Sequence, residues 1–242
     1  MSPSASKQLG SNTAPTGRSP LRRAIYFAVL MAFLAVPMFV AAGRLDWWGG
    51  WLFVGAYLGG GVVGMLIVSH LNPEVMQART ERHEGTKPWD RVLLRVYALM
   101  CLLTTVVAGL DAGRYGWSPP IPLALCIVAI VVLEVSQGLS AWAAAANAHF
   151  ETTVRIQNDR GQRVCTSGPY RFVRHPGYLG YIITWISAPL IMGSWWALIP
   201  AGLSGMLFVV RTALEDRTLR EELDGYGEYA QKVRHRLLPG VW

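Results

Sequence analysis

Charged residues are scarce in this chain: 15% of its 242 residues are Asp, Glu, Lys or Arg, whereas 52% are apolar. A soluble globular domain carries about 25% charged residues, so this balance argues against one. The three cysteines show no paired spacing, which excludes a disulfide framework and a cysteine-based metal site, and we expect no bound metal. The glycines at 59–61 lie inside an apolar run without the flanking residues of a phosphate-binding loop, and they predict helix packing instead.

Long uncharged stretches predict an all-α integral membrane protein with about six transmembrane helices. A helix needs about 20 residues to cross a bilayer. The segment from Pro176 to Val210 contains 35 residues without a charge, so it predicts two crossings. They form a tight hairpin with its turn at Gly193 and Ser194. The predicted spans are, approximately, Ala24–Ala42, Trp51–His70, Leu93–Leu110, Ile121–Ala143, Tyr178–Met192 and Trp195–Arg211.

The distribution of cations predicts the orientation of these spans. If the N-terminus is cytoplasmic, the external loops contain Arg44 and Arg114, and the other twenty of the 22 Lys and Arg residues lie on the inner side. The net charge of +7 then indicates orientation and contact with anionic lipid rather than nucleic-acid binding. We expect both termini to be cytoplasmic and the protein to reside in the plasma (inner) membrane.

Three regions follow from this organisation. Residues 1–20 are rich in Ser, Pro, Thr and Gly and predict a disordered cytoplasmic tail. Residues 21–146 hold the N-terminal transmembrane helices, and residues 147–242 hold the polar motifs described below. Two features leave alternatives open. The segment Asn72–Arg91 is either an interfacial helix or a lid, and Glu134, inside the fourth span, is either functional or satisfied by a neighbouring helix.

The sequence GPYRFVRHPGYLG, from Gly168 to Gly180, places polar residues directly before the fifth span. Its two prolines restrict the backbone, and Pro176 stands where a helix begins, because proline is tolerated in a first turn. The motif therefore predicts a rigid entrance to that span. Upstream, residues 151–167 predict a small surface hairpin or an extended excursion. From the residues alone, Arg171, Arg174 and His175 are either headgroup anchors or members of a site at the membrane boundary.

This run resembles the signature of the isoprenylcysteine carboxyl methyltransferase and phospholipid methyltransferase superfamily: GPY, a short gap, RHP, one residue and then Tyr. The second half of that signature, an Arg followed by two acids and Leu, matches Arg211, Glu215, Asp216 and Leu219. The family more often has two glutamates, so the role of Asp216 stays open. A competing register would use the two glutamates at 221–222. Two further residues match a family feature ahead of the GPY turn: Asn147 and Phe150.

The resemblance implies an integral membrane methyltransferase that uses S-adenosylmethionine at a cytoplasmic site. By this resemblance, Glu215 faces the α-amino group of the cofactor and His175 meets its carboxylate, while Arg174 serves the acceptor. The implied catalytic residues are Arg174 and Glu215. The implied cofactor-binding residues are Asn147, Gly168, Pro169, Tyr170, His175, Pro176, Tyr178 and Glu215. The candidates to enclose the adenine are Tyr170, Tyr178 and, in the C-terminal tail, Tyr226 and Tyr229.

The implied acceptor is a lipophilic or membrane-associated molecule that enters from the lipid bilayer. The superfamily permits an isoprenylcysteine carboxylate, a phospholipid amine or a small thiol. Two other functions compete with this one. Membrane sterol-type reductases share a resembling C-terminal architecture but bind a nicotinamide cofactor, and a non-catalytic scaffold would keep the fold alone.

Overall fold

The computed structural model describes residues 20–78 and 85–242, and in these ranges the chain is helical, with no β-strand. The expected all-α class is confirmed. The helices are α1 Pro20–Ala42, α2 Trp48–Leu71, α3 Pro73–Ala78, α4 Pro88–Ala108, α5 Leu123–Ala146, α6 Pro176–Met192, α7 Leu198–Glu222 and α8 Tyr226–Lys232. A π-helical segment, Gly109–Tyr115, continues α4. Most of the predicted disordered tail, residues 1–19, lies outside the described ranges, as does the segment 79–84.

Four helices are long and apolar enough to cross a membrane: α2, α4 with its π-helical extension, α5 and α7. The most apolar 18-residue stretch of α2 has a mean hydropathy of 2.0, yet only 11% of it is buried inside the protein. Apolar surface on this scale is costly in water and is favourable in lipid. The protein is therefore a multi-pass membrane protein.

The remaining two predicted spans correspond to α1 and α6. Helix α1 has 23 residues and α6 has 17. A straight crossing needs about 20 residues, so α6 is short for one. The count of six spans stays a prediction.

Helices α5 and α6 pack closely because small and hydroxylated residues line their seam. A Cβ atom on Gly180 would lie 2.6 Å from the Ser136 carbonyl oxygen, so only glycine fits there. One turn further along α6, the hydroxyls of Thr184 and Ser136 are hydrogen-bonded at 2.7 Å. Gly60 in α2 is the corresponding small residue against α5, where a Cβ would lie 2.5 Å from Gln137 Nε2 and 2.5 Å from Glu134 Oε2. The predicted packing role of the glycines at 59–61 is confirmed at Gly60 and is wrong at Gly59, where a Cβ would meet no atom within 4 Å.

The predicted hairpin turn between α6 and α7 is confirmed. Gly193 has φ +87°, a conformation that glycine adopts without strain. Ser194 follows and donates a hydrogen bond of 2.5 Å to the buried carboxylate of Asp111. The same carboxylate accepts the backbone N–H of Ser118 at 2.7 Å. Asp111 therefore ties the end of the π-helical segment to the turn.

The opposite end of the bundle gathers the polar segments. There the end of α5, the start of α6 and the end of α7 lie around the irregular segment 147–175 and α8. The expected excursion at residues 151–167 contains one 3-10 turn, Asn158–Arg160. Within it the Arg155 guanidinium is paired with Glu151 at 2.9 Å and with Asp159 at 2.6 Å. These pairs hold the excursion as one wall of a pocket.

Candidate active site

A pocket of about 750 Å³, counted with its open mouth, lies at this end of the bundle. Its lining combines charged groups with aromatic rings, which suits a ligand that has both polar and flat apolar parts. The lining residues include Asn147, His149, Phe150, Val154, Arg155, Tyr170, Arg174, His175, Tyr178, Glu215, Leu219, Tyr226 and Tyr229.

The GPY turn forms the back of the pocket. Gly168 has φ +56°, and a Cβ there would lie 2.9 Å from that of Ala146, so glycine is needed for both reasons. The turn continues as a 3-10 segment, Gly168–Arg171, that places the Tyr170 ring in the pocket. Asn147 Nδ2 donates to the Tyr170 hydroxyl at 3.3 Å, which joins the end of α5 to the turn.

Three of the predicted cofactor-binding residues support this turn without lining the pocket: Gly168, Pro169 and Pro176. Pro169 is buried within the 3-10 segment. Pro176 occupies the first position of α6, as predicted. The other five predicted residues line the pocket: Asn147, Tyr170, His175, Tyr178 and Glu215.

Arg174 and Asp216 form a buried ion pair beneath the pocket. Arg174 Nε lies 2.6 Å from Asp216 Oδ1, and Nη2 lies 3.2 Å from Oδ2. Arg174 Nη1 donates to the carbonyl oxygens of Val233 and Arg234 at 2.7 and 2.8 Å. All three guanidinium nitrogens are therefore engaged inside the protein. The contact predicted between Arg174 and the acceptor stays a prediction.

Asp216 is the centre of a network of ion pairs, and its role is distinct from that of Glu215. Besides Arg174, its carboxylate accepts hydrogen bonds from Arg220 Nε at 3.1 Å and from Arg236 Nε at 3.0 Å. The Tyr226 hydroxyl donates to it at 3.0 Å. Asp216 thereby joins α7 to α8 and to the C-terminal segment, and it holds the motif arginine in place.

His175 and Tyr178 stand side by side at the start of α6. Their rings are stacked with centroids 5.6 Å apart. His175 Nε2 lies 3.6 Å from Asp216 Oδ1 and 3.4 Å from the Tyr226 hydroxyl. His175 is buried, with 7% of its surface exposed, and it lines the pocket.

Glu215 is the carboxylate of α7 that lines the pocket, and the Tyr178 hydroxyl donates a hydrogen bond to its Oε2. The two glutamates of the competing register are exposed and lie outside the pocket. Glu221 pairs with Arg217 at 2.8 Å, and Glu222 pairs with Lys87 at 2.7 Å. The geometry thus favours the register that uses Glu215.

Neutral aromatic rings form one side of the pocket. Burial raises the pKa of the Tyr170 and Tyr229 phenols, so both remain protonated at neutral pH. Burial, together with the nearby Asp216 carboxylate, raises the pKa of Tyr226 as well. The Tyr226 and Tyr229 rings meet edge to face, with centroids 5.5 Å apart. This wall offers a flat apolar surface next to the charged groups.

Sequence reasoning did not identify Asp90 or His149 as residues in or beside the site. Asp90, at the start of α4, is completely buried and bonds to Arg211. His149 lines the pocket, and burial lowers the pKa of its ring. In Arg155, burial opposes the charge, but hydrogen bonds to Glu151 and Asp159 outweigh it and raise the pKa. An acid in the first turn of a helix is too common to single out Asp90.

Fold and site together define a multi-pass helical membrane protein with a polar and aromatic ligand pocket at one end of its bundle. The model of the "Isoprenylcysteine carboxyl methyltransferase (ICMT) family" matches residues 126–221, which span α5 to the end of α7. Two curated proteins, from Oryza sativa subsp. indica and subsp. japonica, are each called "Probable protein-S-isoprenylcysteine O-methyltransferase". Each is 27% identical over 152 residues, covering 62% of this chain and 76% of the relative.

These matches confirm the resemblance found in the sequence. Over residues 126–221 the chain is similar to the isoprenylcysteine carboxyl methyltransferase family, and the two relatives are named as methyltransferases of that kind. The matched segment contains the GPY turn, His175 and Glu215. It excludes Asp90, and it excludes α8, which contributes Tyr226 and Tyr229 to the pocket lining.

Proposed function

We propose that this protein transfers a methyl group from S-adenosylmethionine to the carboxylate of an isoprenylcysteine. The observation that carries the proposal is the convergence of Glu215, His175 and a tyrosine-rich wall on one pocket at the end of a membrane-embedded bundle. The curated relatives bear the name of that activity. When bound, S-adenosylmethionine would supply a methyl group on a positively charged sulfur; an anionic oxygen would bond to that methyl carbon as the carbon–sulfur bond breaks in line and S-adenosylhomocysteine leaves.

The donor set of the pocket fits this methyl donor. The Glu215 carboxylate accepts one hydrogen bond, from Tyr178, and a carboxylate has room for further donors, such as an α-amino group. We assign the α-carboxylate of the donor to His175 and the adenine to the wall of Tyr170, Tyr226 and Tyr229. Asn147 fixes the position of Tyr170 through a hydrogen bond to its hydroxyl, and Tyr178 fixes that of Glu215 through a hydrogen bond to its carboxylate.

The acceptor requires little acid or base help because a carboxylate is already an anion at neutral pH. The protein's task is to hold the reacting groups in line and to keep water out. Arg174 contributes to this task by fixing the turn against Asp216, and we retain it as a candidate contact for the acceptor carboxylate. For that contact, the planar guanidinium of Arg174 would exchange the Asp216 carboxylate for the acceptor carboxylate.

The lipophilic part of the acceptor would approach through the bilayer, and the methyl donor would approach from the cytoplasm. We place the pocket and both termini on the cytoplasmic side, in a plasma (inner) membrane, because twenty of the 22 cations then lie there. The six-span topology belongs to this proposal.

The test uses the full chain in phospholipid nanodiscs with S-adenosylmethionine that is radiolabelled on the methyl group. An N-acetylated S-farnesylcysteine is the acceptor, and its methyl ester is the matched control, since the ester has no free carboxylate. We expect label in the first compound only, released as methanol by mild base, as a carboxyl methyl ester requires. Base-stable label on phosphatidylethanolamine would indicate an amine acceptor instead. Tighter binding of a nicotinamide dinucleotide than of S-adenosylhomocysteine would overturn the methyltransferase proposal.

A further inference from the structure

Asp90 holds a position in the site that the reaction itself does not explain. It lies in the first turn of α4, and its side chain is completely buried. Arg211 donates to it twice, from Nε at 2.7 Å and from Nη2 at 3.3 Å. The backbone N–H of Val154 donates to the same carboxylate at 2.8 Å. Asp90 does not line the pocket, but both of its partners belong to segments that build it.

Arg211 and Glu215 are four residues apart on α7, a spacing at which opposite charges lie on the same face and ordinarily pair. In the part of the chain that the structure describes, Arg211 instead turns to Asp90 and to the Thr152 carbonyl oxygen, the latter at 2.8 Å. Its guanidinium lies over the Tyr178 ring, 4.8 Å from the centroid. Tyr178 in turn donates to Glu215. Tyr178 therefore contacts both charged residues of α7, and among the described residues Arg211 pairs with Asp90 rather than with Glu215.

We propose that Asp90 is a positioning residue that holds Arg211 away from Glu215 and so keeps the Glu215 carboxylate available for the cationic amino group of the methyl donor. The inference rests on the proposed function, because it takes the assignment of Glu215 to that amino group as its starting point. It adds a requirement from α4, a helix outside the segment that the family model matches.

The physical reason is that a buried cation must have a partner. Arg211 is 4% exposed, and a desolvated guanidinium without a counter-charge is costly. If the charge of Asp90 is removed, Glu215 is the carboxylate on the same face of α7, one turn away. An Arg211–Glu215 pair would then compete directly with the amino group of the ligand.

The variant Asp90→Asn tests the inference, because its amide oxygen can still accept the Val154 N–H while the charge is lost. Binding is measured by calorimetry on the full chain in detergent micelles, with two probes. S-adenosylhomocysteine carries the amino acid part, and 5′-methylthioadenosine lacks it. We expect the affinity for S-adenosylhomocysteine to fall at least tenfold and that for methylthioadenosine to change less than twofold. Equal losses for both probes would show that Asp90 merely supports the pocket wall and would overturn the inference.

The double variant Asp90→Asn/Arg211→Gln provides the second measurement. It removes both buried charges together, which is far less costly to folding than removing one of them. With the competing cation gone, we expect S-adenosylhomocysteine affinity to recover to within threefold of the wild type. A double variant that folds but keeps the selective tenfold loss would overturn the inference.

The failure of the inference is distinguishable from that of the proposed function. If the wild type does not bind S-adenosylhomocysteine, the proposed function falls, and the inference falls with it. If the wild type binds and Asp90→Asn binds equally well, the inference alone is wrong.

Discussion

At the scale of single residues, the second half of the signature divides its two acids between two tasks. Glu215 faces the pocket, while Asp216 faces the protein interior and bonds to Arg174, Arg220 and Arg236. Of the two acids, it is therefore the one with the structural role, Asp216, that replaces the usual Glu with a shorter side chain. The departure from the family pattern leaves the pocket carboxylate unchanged.

Replacing Glu215 with Ala tests the pocket carboxylate. Loss of one partner in a desolvated charge pair costs about 2 to 5 kcal/mol, so we expect the affinity for S-adenosylmethionine to fall well over tenfold while the protein stays folded. Calorimetric titration measures this affinity. Glu221→Ala is the matched control, because Glu221 is an exposed acid of the same helix that pairs with the exposed Arg217. If both variants bind like the wild type, the assignment of Glu215 is wrong.

Replacing Arg174 with Lys tests the role of its planar guanidinium group. A lysine keeps the charge but cannot reproduce the two-pronged contact with Asp216 and the two carbonyl contacts. A misplacement of about 1 Å can cost on the order of a hundredfold in rate, so we expect turnover to fall strongly while affinity for S-adenosylmethionine changes little.

Steady-state rates at saturating methyl donor measure the effect of the Arg174 change. The exposed Arg171→Lys serves as control, since the Arg171 side chain donates a long hydrogen bond, of 3.4 Å, to the neighbouring Gly168 carbonyl oxygen. Full turnover combined with a loss of donor affinity would place Arg174 at the carboxylate of the methyl donor instead.

At the scale of helices, backbone approach at glycine decides how tightly the bundle closes. A Cβ on Gly109 would lie 2.3 Å from the Met38 carbonyl oxygen, at the contact between α1 and the π-helical continuation of α4. By contrast, a Cβ on Gly138 in α5 would meet no atom within 4 Å. Glycine is therefore required for close packing at position 109 but not at position 138.

We expect Gly109→Ala to destabilise the protein by about 1 to 3 kcal/mol, because backbone atoms have to move apart to admit the methyl group. Gly138→Ala is the matched control and should be neutral or stabilising by up to about 1 kcal/mol, since alanine favours the helix. Thermal unfolding in detergent, followed by circular dichroism, compares the two variants. A melting temperature of Gly109→Ala equal to that of the wild type would contradict the packing of α1 against this segment.

At the scale of the whole molecule, the two ends of the bundle differ in chemistry. One end carries the hairpin turn and the Asp111 clamp, which consists of Asp111 and its hydrogen-bond partners Ser118 and Ser194. The other end carries the pocket with its ion pairs. This polarity agrees with the proposed orientation, in which the cation-rich end faces the cytoplasm.

Cysteine labelling tests the orientation. In a background without the three native cysteines, Pro119→Cys near the clamp and Thr166→Cys near the pocket introduce one thiol at each end. We expect an impermeant maleimide, applied to intact cells, to label position 119 and to leave position 166 unlabelled until the membrane is opened. Labelling of both positions from outside would refute the six-span topology.

The sequence by itself determined what depends on local pattern. Its apolar runs are as long as a bilayer is thick, so they reported a membrane protein, and Gly193 marked the hairpin turn because few other residues take a positive φ. The compact GPY motif placed Tyr170, His175 and Tyr178 within nine residues, so their presence in one pocket followed from the turn.

The tertiary structure decided the pairings between distant residues. Arg211 bonds to Asp90 across 121 residues of sequence, and Arg174 bonds to Asp216 across 42. Such contacts depend on the rotation and depth at which helices pack, which local periodicity does not encode. Charge alone left several partners open to each arginine. The packing of α4 and α6 against α7 selected one for each, and in doing so left Glu215 facing the pocket.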